Sequence, residues 1–234
     1  MRVGIIQSSF IPWRGYFDFI ASVDLFIFHD DIQYTKGDWR NRNCLKTEKG
    51  KRWLTVPVHH THQSQRICDT EVVDDHDWRG KHLRLWKENY SRAPFFDDVI
   101  RLLGDMERGK RGLTISQLNV FLIRSICGFL GIGTPLRMSQ EFSPVGQKTD
   151  RLLDILKKAG ATEYLSGPRA DAYLDKGAFA REGIRLEYKT YDYAPYPQFF
   201  GAFEGAVSIL DMIAHCGVAT RDALRSATPN VLVI

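Results

Sequence analysis

The sequence predicts an α/β protein with a Rossmann-like sheet flanked by helices. One apolar strand spans residues 2–7 and a second spans residues 24–29, with one or two helical turns at 17–23 between them. A strand, a short helix and a strand within about 30 residues form the pattern of a βαβ unit, whose strands pair in parallel. Further short strands and amphipathic helices follow to the end of the chain, without an internal repeat.

The later elements follow from hydrophobic spacing and from turn residues. Residues 53–58 (WLTVPV) predict a strand that Pro57 places at a sheet edge or brings to an end. The remaining predicted elements are helices at 78–90, 114–130, 149–158, 171–182 and 207–214, and strands at 164–167 and 184–191. We expect one α/β domain over residues 1–234, in which a mostly helical section near 80–135 is an insertion or cap.

Length and composition restrict the class of protein. The 234 residues are 44% hydrophobic and 26% charged, which is enough for a buried core and argues against disorder. A net charge of +4 suits an anionic ligand such as a nucleotide, but lacks the concentrated basic surface of a nucleic-acid-binding protein. No signal peptide or transmembrane stretch is recognisable. We therefore expect a cytoplasmic protein without stable membrane insertion, whose four cysteines are reduced.

The first candidate site segment follows the first strand, at residues 7–17 (QSSFIPWRGYF). A loop in this place lies at the carboxyl edge of the sheet, where α/β proteins form ligand sites. The helix start offers free N–H groups to an anion, and Gly15 allows the backbone to come close to a ligand. The residues predicted to bind substrate are Gln7, Trp13, Arg14 and Tyr16. The alternative is a packed turn whose aromatic rings fill the core.

The second candidate segment is the acidic end of the second strand. Asp30 and Asp31 can hold Mg²⁺ or a ribose, or one of them can act as a general base. Adjacent strand residues point to opposite faces, so only one of the two faces a given side of the sheet unless the chain bends. We predict Asp31, or Asp30 in its place, as catalytic and Gln33 as substrate-binding. Mg²⁺ is the only cofactor that the pair suggests, and we assign no metal ligands. The alternative is a solvated turn.

The third candidate segment, residues 39–46 (WRNRNCLK), is rich in guanidinium and amide groups. Arg40, Arg42 and Asn43 suit the recognition of a phosphate or carboxylate. The alternative is a solvated basic turn.

Other polar residues complete the predicted site. Ser166 and Gly167, at a predicted strand end, can donate backbone N–H groups to an anion, although a plain strand-to-turn junction is an equal alternative. His82 is expected to pack within its helix or to face the substrate. His59, His60 and His62 match no zinc spacing and predict a solvated loop. Residues 191–198 (YDYAPYPQ) can stack on a base or sugar, or form a packed connection.

These stretches together resemble the WbqC-like family of bacterial proteins. The resemblance is carried by residues 5–47 (IIQSSF to CLKT), WLTVPV, the run from Trp78 to Phe96, ATEYLSGP at 161–168 and AVSILDMI at 206–213. These lie in order over nearly the whole chain. The chain departs from the family's usual Gln-Pro after the first strand, where it has Gln7-Ser8. The first turn is also similar to that of nucleotidyltransferase-like Rossmann proteins, with Trp13 and Tyr16 in place of their histidines.

The family resemblance implies a function in surface-polysaccharide assembly, particularly of O-antigen and lipopolysaccharide. It implies a transferase that adds an acyl or aminoacyl group, such as glycyl, to a nucleotide-linked amino sugar. In this hypothesis Arg14, Arg40 and Arg42 hold phosphates, and Asp30 or Asp31 deprotonates the attacking amine or hydroxyl. Two alternatives stay open. One is an Mg-dependent nucleotidyl or adenylate-forming transferase, and the other is a non-catalytic nucleotide-sugar-binding protein of the same pathway.

Overall fold

A computed structural model describes residues 1–108 and 111–234, which form eight strands and seven α-helices. The strands are β1 (Arg2–Ile6), β2 (Leu25–Phe28), β3 (Arg42–Thr47), β4 (Gly50–Thr55), β5 (Leu136–Met138), β6 (Glu163–Ser166), β7 (Arg185–Tyr188) and β8 (Val231–Leu232). The helices are α1 (Arg14–Ala21), α2 (Trp78–Tyr90), α3 (Phe96–Arg108), α4 (Ile115–Phe129), α5 (Lys148–Lys158), α6 (Lys176–Arg181) and α7 (Ile209–Cys216).

The main sheet has the strand order β5–β2–β1–β6–β7–β8. Neighbours pair in parallel from β5 to β7, and β8 pairs with β7 in the antiparallel sense. The predicted parallel βαβ start is confirmed, because Ile6 of β1 lies opposite Phe28 of β2 in a parallel register. From β1 the chain first builds the sheet towards β5 and then returns to add β6 on the other side of β1. The strand order therefore reverses between β1 and β6.

Helices cover both faces of this sheet, as β2 shows. Phe26 and Phe28 point to one face and Leu25 and Ile27 to the other, and all four side chains are buried. The face with Phe26 and Phe28 shares a core with α1, α2, α3, α4 and α7. The opposite face shares a second core with α5 and α6. The predicted fold class, a sheet flanked by helices, is therefore confirmed.

Close packing of α1 on β1 depends on Gly4. A Cβ atom at this position would lie 2.3 Å from Cε1 of Phe19, so any other residue would displace the ring. The contact fixes α1 on the sheet, and with it the loop that joins β1 to α1.

Several element boundaries differ from the prediction. The hairpin of β3 and β4 stands apart from the main sheet, and the predicted strand at 53–58 is the second strand of that hairpin, three residues earlier. The strand β3 was not predicted, because its sequence is polar. Asn43 and Lys46 are nevertheless buried, and hydrogen bonds satisfy their polar groups. The helix predicted at 171–182 is only α6, which begins where the Asp175 carboxylate accepts from the N–H of Ala178.

The section near 80–135 contains most of α2 together with α3 and α4, and β5 begins directly after it. Residues 109 and 110 of this section lie outside the described residues. Its helices share the core that covers the Phe26 face of the sheet. Whether this section is an insertion or cap stays a prediction. None of the helices in the described ranges combines the length and the apolar character needed to span a membrane.

Candidate functional site

The candidate site lies at the carboxyl edge of the main sheet, where the strand order reverses. In doubly wound sheets the loops at this point splay apart and leave a crevice for a ligand. Gln7 follows β1, Asp30 and Asp31 follow β2 by two and three residues, and Ser166 with Gly167 ends β6. The topology thus brings these predicted residues to one edge.

Asp30 anchors the loops at this edge from inside the protein. Its carboxylate is fully buried and accepts from the Ser8 N–H at 2.8 Å and from the Ser116 hydroxyl at 2.5 Å. Asn119, one turn further along α4, donates to the Ser8 hydroxyl and to the Arg40 carbonyl oxygen. Both oxygens of Asp30 are therefore engaged in holding the loop after β1 to α4.

Asp31 points to the opposite face, as strand alternation predicts. Its carboxylate accepts hydrogen bonds from the Ser139 hydroxyl and from the Arg151 guanidinium of α5. His29 lies beside it, but its buried Nε2 is 3.8 Å from Oδ1 of Asp31, too far for a hydrogen bond, and has no other partner among the described residues. Burial lowers the pKa of His29 below its ordinary 6.5, Asp31 opposes this shift and Arg151 adds to it. The lowered pKa favours the neutral form of the His29 imidazole.

The loop after β1 is held in a strained conformation. Ile11 has φ +33°, which a β-branched residue rarely adopts. The Asn43 amide donates to the carbonyl oxygens of Phe10 and Ile11 at 3.1 and 2.9 Å, and the Asn43 side-chain oxygen accepts from the Cys44 N–H. The Tyr16 hydroxyl donates to the carbonyl oxygen of Gln7. The Asn43 side chain therefore stabilises this loop, because both its amide nitrogen and its amide oxygen are used in these hydrogen bonds.

Trp13 and Arg14 pack against the aromatic loop at residues 191–198. The Arg14 guanidinium lies 4.3 Å from the ring centroid of Tyr193 and donates to the Ala194 carbonyl oxygen. Arg14 is only 5% exposed, and burial lowers its pKa. The Trp13 ring covers Gly15, where a Cβ atom would lie 2.3 Å from the indole. Gly15 therefore makes room for Trp13, rather than for the ligand that the sequence suggested.

Arg40 and Arg42 have different surroundings. Arg40 is 8% exposed, and its buried Nε and Nη1 atoms have no hydrogen-bond partner among the described residues. Arg42 is half-buried and stacks on Trp53, with 4.5 Å between the guanidinium carbon and the ring centroid. Gln33 is exposed and its backbone forms a bridge with Arg66. Arg40 thus keeps two donor atoms without hydrogen-bond partners among the described residues, and its role in binding an anion stays a prediction.

The other predicted residues have mainly structural contacts. The Ser166 hydroxyl lies 3.4 Å from that of Tyr164, and Gly167 precedes a 3₁₀ turn at Pro168–Ala172. His82 packs between Phe10 and Trp78, and burial lowers its pKa to about 4.

A cleft of about 540 Å³ lies between α4 and the end of β5, and neither Asp30 nor Asp31 is among its lining residues. Its lining comprises Cys68, Thr114, Ser116, Gln117, Val120, Phe121, Arg124, Met138 and Gln140. Ser116 on its wall donates to Asp30, and Ser139, which donates to Asp31, lies between two lining residues. The volume is within the range of small-molecule sites. Sequence reasoning did not predict this cleft.

Four residues around the acidic pair were also missed. His29 could have been found, because it directly precedes the carboxylates at a strand end. Ser116 and Asn119 are polar residues three apart at the start of an apolar helix, which is a weaker signal. Arg151 gives no local signal, since its approach to Asp31 depends on the crossover through α5.

All four cysteines lie within residues 1–108 and 111–234, and their thiols are free, as expected. In the same part of the chain, no three His, Cys, Asp or Glu side chains are grouped so that they could hold a metal ion.

The chain matches a known protein family over most of its length. The profile of the WbqC-like protein family matches residues 7–223. Rv1507c, an uncharacterised protein of Mycobacterium tuberculosis (strain ATCC 25618 / H37Rv), is 43% identical over 225 residues, or 96% of this chain and 97% of that protein. No solved structure matches the chain. The resemblance seen in the sequence is thereby confirmed, and the chain belongs to the WbqC-like protein family.

Proposed function

We propose that the protein is a transferase that adds an acyl or aminoacyl group to a nucleotide-linked amino sugar for a surface polysaccharide. The observation that carries the proposal is the pair of His29 and Asp31 at the carboxyl edge of β2. An imidazole next to a fixed carboxylate can remove a proton from an attacking amine or hydroxyl, and catalytic hydrogen bonds are often longer without substrate than in the reacting complex.

In the proposed reaction the sugar's amine attacks the carbonyl carbon of the donor. A C–N bond forms, the bond from that carbon to the donor's leaving group breaks, and the amine proton passes to His29. Asp31 stabilises the imidazolium that results, while Ser139 and Arg151 hold the carboxylate in place. Asp30 serves as a positioning residue, because its two oxygens already accept hydrogen bonds inside the protein.

The cleft between α4 and the end of β5 offers a binding place for the donor. Val120, Phe121 and Met138 give it apolar walls, and Arg124 adds a cation. An acyl group with an anionic carrier matches both features. The unused donors of Arg40 match the phosphates of the acceptor.

The test begins with sugar nucleotides extracted from cells with and without the gene and compared by mass. The unmodified amino sugar that accumulates is then incubated with the purified protein and candidate donors. We expect His29→Gln to lower kcat by on the order of a hundredfold, because glutamine cannot accept the proton. The matched control is His76→Gln, at a side chain that is 69% exposed. It should keep full activity.

The pH profile separates His29 from Asp31 as the base. Since the pKa of His29 is lowered, kcat should fall with acid only below pH 6.5. Asp31→Asn removes a charge that raises this pKa, so the acid limb should move to lower pH while kcat drops. Full activity of His29→Gln together with an inactive Asp31→Asn would make Asp31 the base instead. If the purified protein binds the sugar nucleotide without turnover, the non-catalytic reading replaces the transferase.

A further inference from the structure

Two tryptophans lie side by side on the surface next to the candidate site. Trp39 and Trp53 are 43% and 45% exposed, with ring centroids 5.5 Å apart and ring planes tilted by 38°. They come from the loop after β2 and from the hairpin strand β4, so the fold brings them together. We call these two rings, with the Arg42 guanidinium on Trp53, the tryptophan platform. Neighbouring exposed indoles offer flat surfaces to a planar ligand.

Two arginines belong to the segments that carry the tryptophan platform. Arg40 directly follows Trp39 in the sequence, and the Arg42 guanidinium carbon lies 4.5 Å from the ring centroid of Trp53. Arg42 also lies over Gly37, where a Cβ atom would be 3.8 Å from Nη2.

Arg40 has a counter-ion in Asp38, but two of its guanidinium nitrogens make no hydrogen bond to the described residues. Its Nε and Nη1 atoms are buried and make no hydrogen bond to the described residues, and Oδ2 of Asp38 is 3.7 Å from Nε, too far for one. Buried guanidinium donors without an acceptor are unfavourable, and a ligand oxygen can supply that acceptor. Phosphate oxygens accept from a guanidinium in this way.

The backbone around these side chains is fixed to the candidate site. The Phe10 N–H donates to the Trp39 carbonyl oxygen at 3.0 Å, and Asn119 of α4 donates to the Arg40 carbonyl oxygen at 2.8 Å. The segment that carries the platform is thus held against the loop after β1.

We propose that the tryptophan platform binds the base of a nucleoside diphosphate and that Arg40 and Arg42 bind its two phosphates. The inference deepens the proposed function, on which it rests, by assigning the nucleotide half of the acceptor to the loop after β2 and the β3–β4 hairpin. The sugar then extends from the second phosphate towards the carboxyl edge.

The test measures binding calorimetrically with UDP, ADP, GDP and dTDP as probes, and with inorganic pyrophosphate. We expect at least one nucleoside diphosphate to bind the wild type. Trp39→Leu and Trp53→Leu should each weaken that binding by on the order of tenfold or more, since base stacking on an aromatic side chain has this magnitude. Pyrophosphate binding should be unchanged in both. Arg40→Met should weaken the nucleotide and pyrophosphate alike.

Phe95→Leu is the matched control, because Phe95 is an exposed aromatic residue (41%) that belongs neither to the tryptophan platform nor to the candidate site. It should bind the nucleotide as the wild type does. Thermal melting checks that each variant is folded. Wild-type affinity in the folded double variant Trp39→Leu/Trp53→Leu would overturn the inference, as would a wild type that binds none of the four probes. Turnover in the mass assay tests the proposed function separately, so either can fail while the other stands.

Discussion

At the residue scale, adjacent carboxylates acquire different roles from their neighbours. Asp30 turns towards α4 and accepts two hydrogen bonds in a fully buried position, whereas Asp31 turns towards α5 and pairs with Arg151. Their chemistry is identical, and the alternation of the strand separates them. The residue that sequence reasoning treated as a substitute base is thus one that holds the loops in place.

The buried His82 gives a prediction about pH at this scale. Its pKa is about 4 in the folded protein against an ordinary 6.5. Below pH 6.5 the unfolded chain takes up a proton that the folded protein does not, so acid favours unfolding. We expect this residue to lower the free energy of unfolding by about 3 kcal/mol between pH 7 and pH 4. Urea titrations across this range measure the effect.

The variant His82→Phe should show a shallower decline, because phenylalanine keeps the packing between Phe10 and Trp78 but cannot be protonated. The exposed His59 serves as the control, and His59→Gln should follow the wild-type curve. Equal slopes for His82→Phe and wild type would mean that His82 does not cause the acid sensitivity.

At the element scale, α4 positions Ser116 and Asn119, and its first turn is closed by a capping box. The Thr114 hydroxyl accepts from the Gln117 N–H, and the Gln117 side chain accepts from the Thr114 N–H. Thr114→Ala should lower the free energy of unfolding by about 1 kcal/mol, because it leaves a helix N–H without its partner. Urea denaturation measures the change. Thr114→Ser keeps the hydroxyl and should retain most of the stability, so equal losses in both variants would argue against the cap.

At the scale of the whole molecule, a buried ion pair joins distant parts of the chain. Nζ of Lys189, just after β7, lies 2.7 Å from Oδ2 of Asp18 in α1, and both side chains are almost fully buried. Asp18 also accepts from the Tyr193 hydroxyl and the Ser226 N–H. One carboxylate thus ties the first helix to the loop after β7 and to the C-terminal segment.

Breaking this pair should destabilise the protein as a whole. Asp18→Asn leaves the Lys189 ammonium buried without its counter-ion, and we expect a loss of about 3–5 kcal/mol in the free energy of unfolding. In Asp18→Asn/Lys189→Met no charge remains, and much of the loss should be recovered. Asp69→Asn, at an exposed pair with Arg66, is the control and should have a much smaller effect. A double variant as unstable as Asp18→Asn alone would show that the charge is not the cause.

The sequence by itself determined the α/β fold class and the βαβ start of the chain, because local hydrophobic spacing marks strands and helices. The runs at 2–7 and 24–29 predicted two parallel strands, and the structure confirms them at β1 and β2. Placement at strand ends predicted which residues reach the carboxyl edge of the sheet. It also predicted that Asp30 and Asp31 would face apart.

Only the tertiary structure decided how the polar residues are used. Asn43 looks like a ligand-binding amide in sequence, yet its hydrogen bonds go to Phe10 and Ile11, more than 30 residues away. Arg151 reaches Asp31 across 120 residues, and the Trp39–Trp53 contact exists only because the hairpin folds back. The physical reason is that hydrophobic periodicity is a local property of the chain, whereas the partner of a polar group is set by long-range packing.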